Sequence, residues 1–375
     1  MIYLDNAATS FKKPDCVLRA TCEALYKHSA NPGRSGHDLS LAAGEILYDS
    51  RKNLAKLFNI KNPERIAFCQ NTTEALNKGI KGVMSRGGHV ITTSMEHNSV
   101  IRPIKALEEK GVTHSILKSN ENGELDFEKL KRMIKRDTKL IVMTHASNVC
   151  GNIYDIKKVA HIAHENNVLF MVDAAQSAGI CDIDCDFIDL LAFPGHKGLM
   201  APMGSGGLYV KDGVKIKPII EGGTGSVSES LTQPDFFPDM LESGTLNVPA
   251  IAGLKKAAEF ILNVGVENIK NHEVILRKRF EEKIRNIENV KVYGSNNKCG
   301  ISSFNISGID CVDVAQRLND EYGICVRSGL HCAYLAHKSL KTHETGLTRV
   351  SFGYFNTAKD ADICADAIYK IAKNI

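Results

Sequence analysis

The sequence predicts an α/β protein, with a large domain whose mostly parallel sheet lies between helices and a smaller α+β domain at the C-terminal end. Three observations lead to this fold class. Between residues 65 and 210, short apolar segments alternate with segments of helical periodicity, as in parallel sheets covered by helices. A Gly- and Ser-rich loop then follows at 221–228. Beyond about Asn271, helical and strand segments mix in a way typical of a second, smaller unit.

Length and composition indicate a globular protein. The chain has 375 residues, of which 43% are hydrophobic and 24% charged, so we expect a large core divided between two domains. The net charge of +4 is spread along the chain and does not predict a nucleic-acid or membrane partner. No apolar run approaches the ~20 residues of a membrane span, and the N-terminus lacks the pattern of a signal peptide.

The eleven cysteines favour a reducing, cytoplasmic location. Their number is odd and no Cys-x-x-Cys pair occurs, so a disulfide framework is not expected and most of them should be small buried residues. Cys181 and Cys185 lie four positions apart, and His161 and His164 fall on a predicted helix. The ligand spacing of a closed zinc site is missing, and we predict no metal.

The large domain is predicted from elements that follow one another in order. Apolar runs predict strands at 65–69, 89–93, 139–143, 168–172, 189–193 and 207–210. Helices are predicted at 71–77, at 126–134 with Asp126 as its N-cap, and at 154–166, where apolar residues recur at helical spacing. Strands alternating with helices in this order indicate a largely parallel sheet.

The remaining elements set the predicted domain division. A long helical pattern at 249–261 links the two domains, and strands are predicted at 290–293, 300–306 and 348–352. We divide the chain into an N-terminal segment 1–15 that packs near the small domain, a large domain 16–250 and a small domain 251–375.

Two polar residues follow predicted strands at the edge where open α/β sheets bind ligands. Asp173 ends the strand at 168–172, and Lys197 follows the strand at 189–193 through a Pro-Gly turn. A lysine in such a place can form a Schiff base with a carbonyl cofactor, and an aspartate can pair with the ring nitrogen of pyridoxal phosphate. Rival motifs are absent: no Gly-x-Gly-x-x-Gly follows a strand, and there is no P-loop.

The ordered set Asp173-x-x-Gln176…Gly195-His196-Lys197 resembles the cofactor site of class-V aminotransferase-like pyridoxal-phosphate enzymes. The segment from Val326 to Ala333, Val-Arg-Ser-Gly-Leu-His-Cys-Ala, resembles that of group II cysteine desulfurases and selenocysteine lyase-like proteins. The similarity runs nearly end to end, from residues 3–9 to residues 354–357. It implies a fold-type I pyridoxal-phosphate-dependent transferase.

The resemblance also implies roles for individual residues around pyridoxal phosphate. Lys197 would hold the cofactor, Asp173 would pair with its ring nitrogen, and Gln176 would donate to its phenolic oxygen. The other implied residues are His97 stacked on the ring, Asn148 near the cofactor oxygen and the substrate carboxylate, and Thr72, Thr73 and His196 at the phosphate. From the residues alone, the favoured interpretation is that Asn71 and Glu74 form a helix cap and nothing more. Pro194 stands where the group II desulfurases commonly carry a serine.

The substrate side follows from the same resemblance. Cys332 would be the nucleophile that takes the sulfur as a persulfide, and Arg349 would bind the substrate carboxylate through two parallel hydrogen bonds. Arg327 would contact the substrate or shape the loop that carries Cys332, called the cysteine loop below. Leu330 replaces a histidine that is frequent in the family. Arg34 and Thr245 match positions near the partner subunit's site, which implies a homodimer.

The resemblance thus implies a cysteine desulfurase that converts L-cysteine to L-alanine and passes sulfur to an acceptor protein, as in iron–sulfur cluster assembly. Three alternatives stay open. One is a selenocysteine lyase acting on L-selenocysteine with the same residues. Another is a class-V aminotransferase, epimerase or C–C lyase in which Cys332 is a bystander. The last is a non-catalytic scaffold that binds a sulfur carrier.

Overall fold

A computed structural model describes residues 1–32, 36–294 and 297–374, and its largest feature is a seven-stranded sheet between helices. The described strands are β1 Ile2–Tyr3, β2 Ile66–Phe68, β3 Gly88–Thr93, β4 Val112–Leu117, β5 Thr138–Thr144, β6 Leu169–Asp173, β7 Leu190–Pro194, β8 Gly206–Val210, β9 Val290–Tyr293, β10 Ile301–Ile306, β11 Ile324–Cys325, β12 Arg327–Gly329 and β13 Leu347–Ser351.

The described α-helices pack on this sheet and on the strands of a smaller unit. They are α1 Asp15–Lys27, α2 Asp38–Leu57, α3 Thr72–Val83, α4 Asn98–Ala106, α5 Phe127–Met133, α6 Ile156–Glu165, α7 Val248–Val264, α8 Val266–Ile284, α9 Cys311–Tyr322, α10 Tyr334–Ser339 and α11 Ala358–Lys373. Short 3-10 turns lie at Pro63–Arg65, Met84–Arg86, Glu108–Lys110, Cys185–Phe187 and Asp239–Leu241.

The large sheet has the strand order β2-β8-β7-β6-β5-β3-β4. Strands β3 to β7 pair in parallel, whereas β8 lies antiparallel between β7 and β2. Because both β2 and β7 oppose β8, β2 runs in the same direction as the parallel strands. The carboxyl ends of β2, β3, β5, β6 and β7 therefore meet at one edge of the sheet, where such folds bind ligands.

Side chains of the parallel strands alternate between two apolar clusters, as expected for a sheet buried on both faces. In β6, Phe170 and Val172 enter one cluster and Met171 enters the other. In β7, Leu191 and Phe193 lie in the first cluster, with Leu190 and Ala192 in the second. Burial on both faces explains why these strands are nearly continuous apolar runs in the sequence.

The smaller unit is built on a four-stranded antiparallel sheet of order β12-β13-β10-β9. Helices α8, α9 and α11 contribute buried residues to its core, for example Phe280, Leu318 and Ile368. The N-terminal strand β1 pairs in parallel with β11, and Asp5 forms a bridge to Ser351 in β13. Helix α7 crosses the predicted boundary at 250/251 and packs on α1 and α2. The division into domains stays a prediction.

The predicted α/β class with a mostly parallel sheet is confirmed. The helix expected at 126–134 is α5, and the Asp126 side chain accepts hydrogen bonds from the N–H groups of Glu128 and Lys129. The helix expected at 71–77 continues to Val83 as α3, and that expected at 249–261 is α7. The sequence analysis did not predict α1, α2, α4 or β4, or the reversed direction of β8. No helix among the described residues is long and apolar enough to cross a membrane.

Candidate active site

Lys197 lies just beyond β7, at the carboxyl edge of the large sheet, and lines a cavity there. The turn that leads to it is tight, because a side chain on Gly195 would collide with Ser205. Among the described residues the Lys197 amine has no hydrogen-bond or ion-pair partner. Removal from water lowers the pKa of the amine to about 8, although the charge of Asp173 acts in the opposite direction. Lys197 is therefore an amine that loses its proton far more readily than a surface lysine.

Asp173 ends β6 beside β7 and lines the same cavity. The carboxylate is almost fully buried, and one oxygen accepts a hydrogen bond of 2.9 Å from the N–H of Ala175. Burial raises the pKa of Asp173, which the backbone hydrogen bond and Lys197 partly offset. A buried carboxylate of this kind is stabilised by a cationic N–H partner, which a protonated pyridine nitrogen would provide.

One end of the cavity is formed by the start of α3. Thr72 and Thr73 are its first two residues, and their backbone N–H groups have no acceptor among the described residues. Asn71 caps the helix by accepting a hydrogen bond from the N–H of Glu74 at 2.9 Å. The cap and the free N–H groups therefore coexist, and the first turn keeps donors that suit a phosphate.

His196 lies next to the lysine and also lines the cavity. Its Nδ1 lies 3.1 Å from the Thr9 hydroxyl. Burial, followed by the charge of Lys197, lowers the pKa of the His196 ring to about 4. The ring is therefore neutral at physiological pH. Pro194, the last residue of β7, contributes no hydroxyl.

His97 is the N-cap of α4 and faces the cavity beside Ser99. Its Nδ1 accepts a hydrogen bond of 3.1 Å from the Ser99 N–H, so the neutral ring carries its proton on Nε2. The Ser99 hydroxyl lies 2.9 Å from His97 Nδ1 and 2.8 Å from the Thr73 hydroxyl. Burial is the main reason that the pKa of His97 is lowered to about 4. The sequence analysis missed Ser99, whose only signal is its place two positions after a histidine N-cap.

Glu96 is a buried residue next to His97 and contacts the ends of two strands behind the cavity. The Thr93 hydroxyl donates to one carboxylate oxygen at 2.5 Å, and the Thr144 N–H donates to the other at 2.9 Å. Burial raises the pKa of Glu96 to about 8. This carboxyl group joins the ends of β3 and β5, and the sequence analysis did not identify it.

Asn148 and Gln176 complete the cavity wall, and both side-chain amides already have partners. Asn148 Nδ2 donates to the carbonyl oxygen of His331 at 2.8 Å, and Gln176 Nε2 donates to the carbonyl oxygen of Ala7 at 2.9 Å. These two bonds connect the cavity with the cysteine loop and with the N-terminal segment.

Cys332 lies in a loop between β12 and α10 with its side chain exposed. The loop is tied to the cavity, because the Asn98 N–H donates to the carbonyl oxygen of Cys332 at 2.7 Å. Arg327 Nη2 lies 3.8 Å from the Cys332 sulfur. Seven of the other cysteines are buried, as expected, whereas Cys16 and Cys22 are also exposed, on α1.

Arg349 lies in β13 and is the largest fully buried side chain among the described residues. Nη1 donates to the carbonyl oxygen of Asn148 at 2.9 Å, and Nη2 pairs with Asp5 at 2.8 Å. Its Nε–H has no partner in the described part of the chain. The guanidinium therefore lies next to Asn148 with hydrogen-bonding capacity left over. The sequence analysis missed Asp5.

Two predicted site residues do not join this group. Thr245 is exposed and lines a different cavity with residues 29–32 of the segment after α1. Arg34 lies outside the described residues. Within residues 1–32, 36–294 and 297–374, no group of three or more His, Cys, Asp or Glu side chains could hold a metal ion.

These features fit pyridoxal phosphate. Within the part of the chain that the structure describes, the cavity combines an unpaired amine, a buried carboxylate without an ion pair, and N–H groups at a helix start that have no acceptor. An aldehyde, a pyridine nitrogen and a phosphate would meet these three groups in turn.

Comparisons with known proteins agree with this chemistry. The family model described as aminotransferase class-V matches residues 2–363. A probable cysteine desulfurase of Methanothermobacter thermautotrophicus is 37% identical over 99% of this chain and 94% of its own length. A probable cysteine desulfurase of Pyrococcus abyssi is 34% identical over 100% of this chain and 95% of its own. The apo structure of the cysteine desulfurase from Thermococcus onnurineus NA1 superposes with a TM-score of 0.93 at 34% identity, covering 100% of this chain and 95% of that one.

Proposed function

The chain belongs to the aminotransferase class-V family and is a cysteine desulfurase, and we propose that it transfers the sulfur of L-cysteine to Cys332 with pyridoxal phosphate as cofactor. One observation carries the proposal. The unpaired amine of Lys197 lies in a cavity with buried Asp173, and the loop of the exposed Cys332 thiol is hydrogen-bonded to that cavity's wall. An amine that can bind a carbonyl and a thiol that can accept sulfur are the two groups this reaction needs.

Pyridoxal phosphate supplies an aldehyde carbon and an electron-accepting ring when it is bound. The N–H groups of Thr72 and Thr73, together with His196, would bind the phosphate, and Asp173 would hold the ring nitrogen in its protonated form. His97 would stack on the ring, and Gln176 would donate to the phenolic oxygen in exchange for its bond to Ala7.

Lys197 also moves the proton at the substrate's α carbon in this proposal. Its pKa of about 8 places the amine near the balance between its charged and neutral forms at physiological pH. A base of that strength can accept a proton and return it during one turnover. An ordinary lysine, with a pKa near 10.5, would stay protonated.

The sulfur step places Cys332 opposite the substrate's side chain. The Cys332 thiolate forms a bond to the substrate sulfur while the bond between that sulfur and the β carbon breaks. The electron pair of the broken bond stays with the substrate and is protonated, which yields L-alanine, and Cys332 holds the transferred sulfur as a persulfide. Exposure of Cys332 leaves this sulfur open to an acceptor protein.

Arg349 binds the substrate carboxylate in the proposed mechanism. The guanidinium already contacts Asn148, which lines the cavity. Its ion pair with Asp5 holds it in place and leaves the Nε–H free for a carboxylate oxygen. Arg327 lies beside the Cys332 sulfur and would act on the cysteine loop rather than on the carboxylate.

We further propose that the protein works as a homodimer in the cytoplasm. Exposed apolar side chains lie on α1 and α2, among them Leu25, Tyr26 and Leu41, and they would be covered by a second subunit. Thr245 is exposed away from its own chain's cavity, as expected of a residue that completes the partner's phosphate site. All eleven cysteines are free, which suits a reducing compartment.

The direct test is an assay of purified protein reconstituted with pyridoxal phosphate and given L-cysteine. We expect L-alanine to form, and sulfide to be released when a thiol reductant is present. Lys197→Ala is the matched control and should form neither product. If the wild-type protein forms no alanine although it has bound the cofactor, the proposed function is wrong.

A further inference from the structure

The two residues at the centre of the cysteine loop have strained backbone conformations. His331 has φ of 49° and Cys332 has φ of 55°, in the left-handed region that residues other than glycine avoid. Two adjacent residues in this region persist only where the surroundings hold them. The loop that presents the nucleophile is therefore under restraint.

Backbone hydrogen bonds provide part of this restraint. The carbonyl oxygen of His331 accepts a bond from Asn148 Nδ2 at 2.8 Å, and that of Cys332 accepts one from the Asn98 N–H at 2.7 Å. The Ala333 N–H donates to the carbonyl oxygen of Leu330 at 2.9 Å and closes the turn. These bonds hold the carbonyl groups but leave the side chain of His331 to be fixed by other contacts.

The His331 ring is held by a second histidine. His331 and His337 stack with centroids 5.5 Å apart and planes 15° apart, and His331 Nδ1 lies 3.3 Å from His337 Nε2. Both rings are buried. His337 Nδ1 in turn lies 2.9 Å from the Thr342 hydroxyl, and the Thr342 N–H donates to the His337 carbonyl oxygen at 2.8 Å.

Helix α10 anchors this chain of contacts on the large domain. The Ser339 hydroxyl donates to the Ser94 hydroxyl at 2.9 Å, just beyond β3. The Gly346 N–H donates to the Thr342 carbonyl oxygen at 2.9 Å, which fixes Thr342 at the far end of this series of contacts. The line from Thr342 through His337 to His331 thus ends next to the nucleophile.

We propose that His337, anchored by Thr342, is a positioning residue that holds the His331 ring and so keeps the Cys332 thiol aimed at the substrate sulfur. The inference rests on the proposed desulfurase function. His337 acts in the sulfur-transfer step, because His331, His337 and Thr342 do not line the cofactor cavity. Loss of the contact should therefore slow turnover without weakening cofactor or substrate binding.

The test uses His337→Phe, which keeps a stacking ring but removes both ring nitrogens, and Thr342→Val, which removes only the anchoring hydroxyl. Thr348→Val is the matched control, because Thr348 is equally buried and donates to the carbonyl oxygen of Cys311 instead. Cofactor absorbance, kcat and KM for alanine formation from L-cysteine are measured for the reconstituted holoenzyme.

We expect His337→Phe to lower kcat by about tenfold or more, as a misplaced reacting group does, while KM and cofactor absorbance stay near wild type. Thr342→Val should lower kcat in the same direction by about threefold, and Thr348→Val should leave it unchanged. Unchanged kcat in both His337→Phe and Thr342→Val overturns the inference. If His337→Phe fails to fold, the result of Thr342→Val decides.

Hydrogen exchange provides a second readout that does not depend on activity. The amides of Asn98 and Ala333 should exchange faster in His337→Phe and Thr342→Val than in wild type and Thr348→Val. If the wild-type protein does not act on L-cysteine but both variants show faster exchange, the proposed function is wrong, while the restraint of the Cys332 loop by His337 is confirmed. Unchanged exchange together with unchanged kcat would leave His337 as an ordinary core residue.

Discussion

The backbone N–H of Asn98 donates a hydrogen bond of 2.7 Å to the carbonyl oxygen of Cys332. Asn98 directly follows His97, which lines the cofactor cavity, so this bond joins the cavity to the loop of the proposed nucleophile. A second bond, from Asn148 Nδ2 to the carbonyl oxygen of His331, makes another connection between the cavity wall and this loop. The thiol is therefore exposed to solvent while its backbone is fixed to the site that would activate the substrate.

Lys197 should capture pyridoxal phosphate with an unusual pH dependence. Burial lowers the pKa of the amine to about 8, so the reactive neutral form should dominate above that pH rather than above 10.5. The rate at which cofactor-free protein develops the yellow absorbance should rise between about pH 7 and 9 and then level off. Borohydride reduction and peptide mapping should place the pyridoxyl group on Lys197. A midpoint near 10, or a label on another lysine, would contradict this assignment.

Asp173→Asn should retain some cofactor but lose activity by about a hundredfold or more, because the neutral amide cannot hold a protonated ring nitrogen. Alanine formation from L-cysteine, measured per bound cofactor, checks this. Asp212→Asn, which changes an exposed carboxylate, is the control and should match wild type. Asp173→Asn activity within about twofold of wild type would show that Asp173 is not the partner of the ring nitrogen.

Arg349→Lys should raise the KM for L-cysteine by about tenfold, because an ammonium cannot reproduce the fork that binds a carboxylate. The cofactor absorbance should stay unchanged. Arg279→Lys alters an exposed pair with Asp362 and serves as control for the substitution itself. An equal KM in the two variants would remove Arg349 from the substrate site.

Mixed dimers test whether the active site is shared between subunits. Lys197→Ala should be inactive, and Thr245→Arg should be inactive if Thr245 completes the partner's phosphate site. A 1:1 mixture refolded together should recover about a quarter of the wild-type rate, since half of the dimers would contain one intact site. A mixture of Lys197→Ala with Asp173→Asn has no intact site and should show no more than the residual activity of Asp173→Asn. Full activity of Thr245→Arg alone would contradict a shared site.

The features of the site that could be predicted from the sequence are those with local causes. Asp173 and Lys197 end apolar runs in neighbouring parallel strands, so their place at one sheet edge follows from the pattern and the topology. Strand β8 was expected from its apolar residues, but nothing local showed that it runs antiparallel between β2 and β7.

Contacts between distant segments could not be predicted in the same way. The pair of Arg349 with Asp5 joins positions 344 residues apart, and no spacing rule connects them. Ser99 lies close to His97 in sequence, yet its contact with Thr73 depends on how α3 and α4 pack. Helices α1 and α2 keep apolar residues exposed, which weakens the one-sided periodicity used to recognise helices.

The central claim is that Cys332 removes the sulfur, and the initial rate of alanine formation from L-cysteine by Cys332→Ala tests it most directly. We expect a rate lower than wild type by about a hundredfold or more with an unchanged cofactor spectrum, because the site is intact but lacks its nucleophile. Cys22→Ala, which removes an exposed thiol on α1, should match wild type. Alanine formation by Cys332→Ala at the wild-type rate would contradict the account.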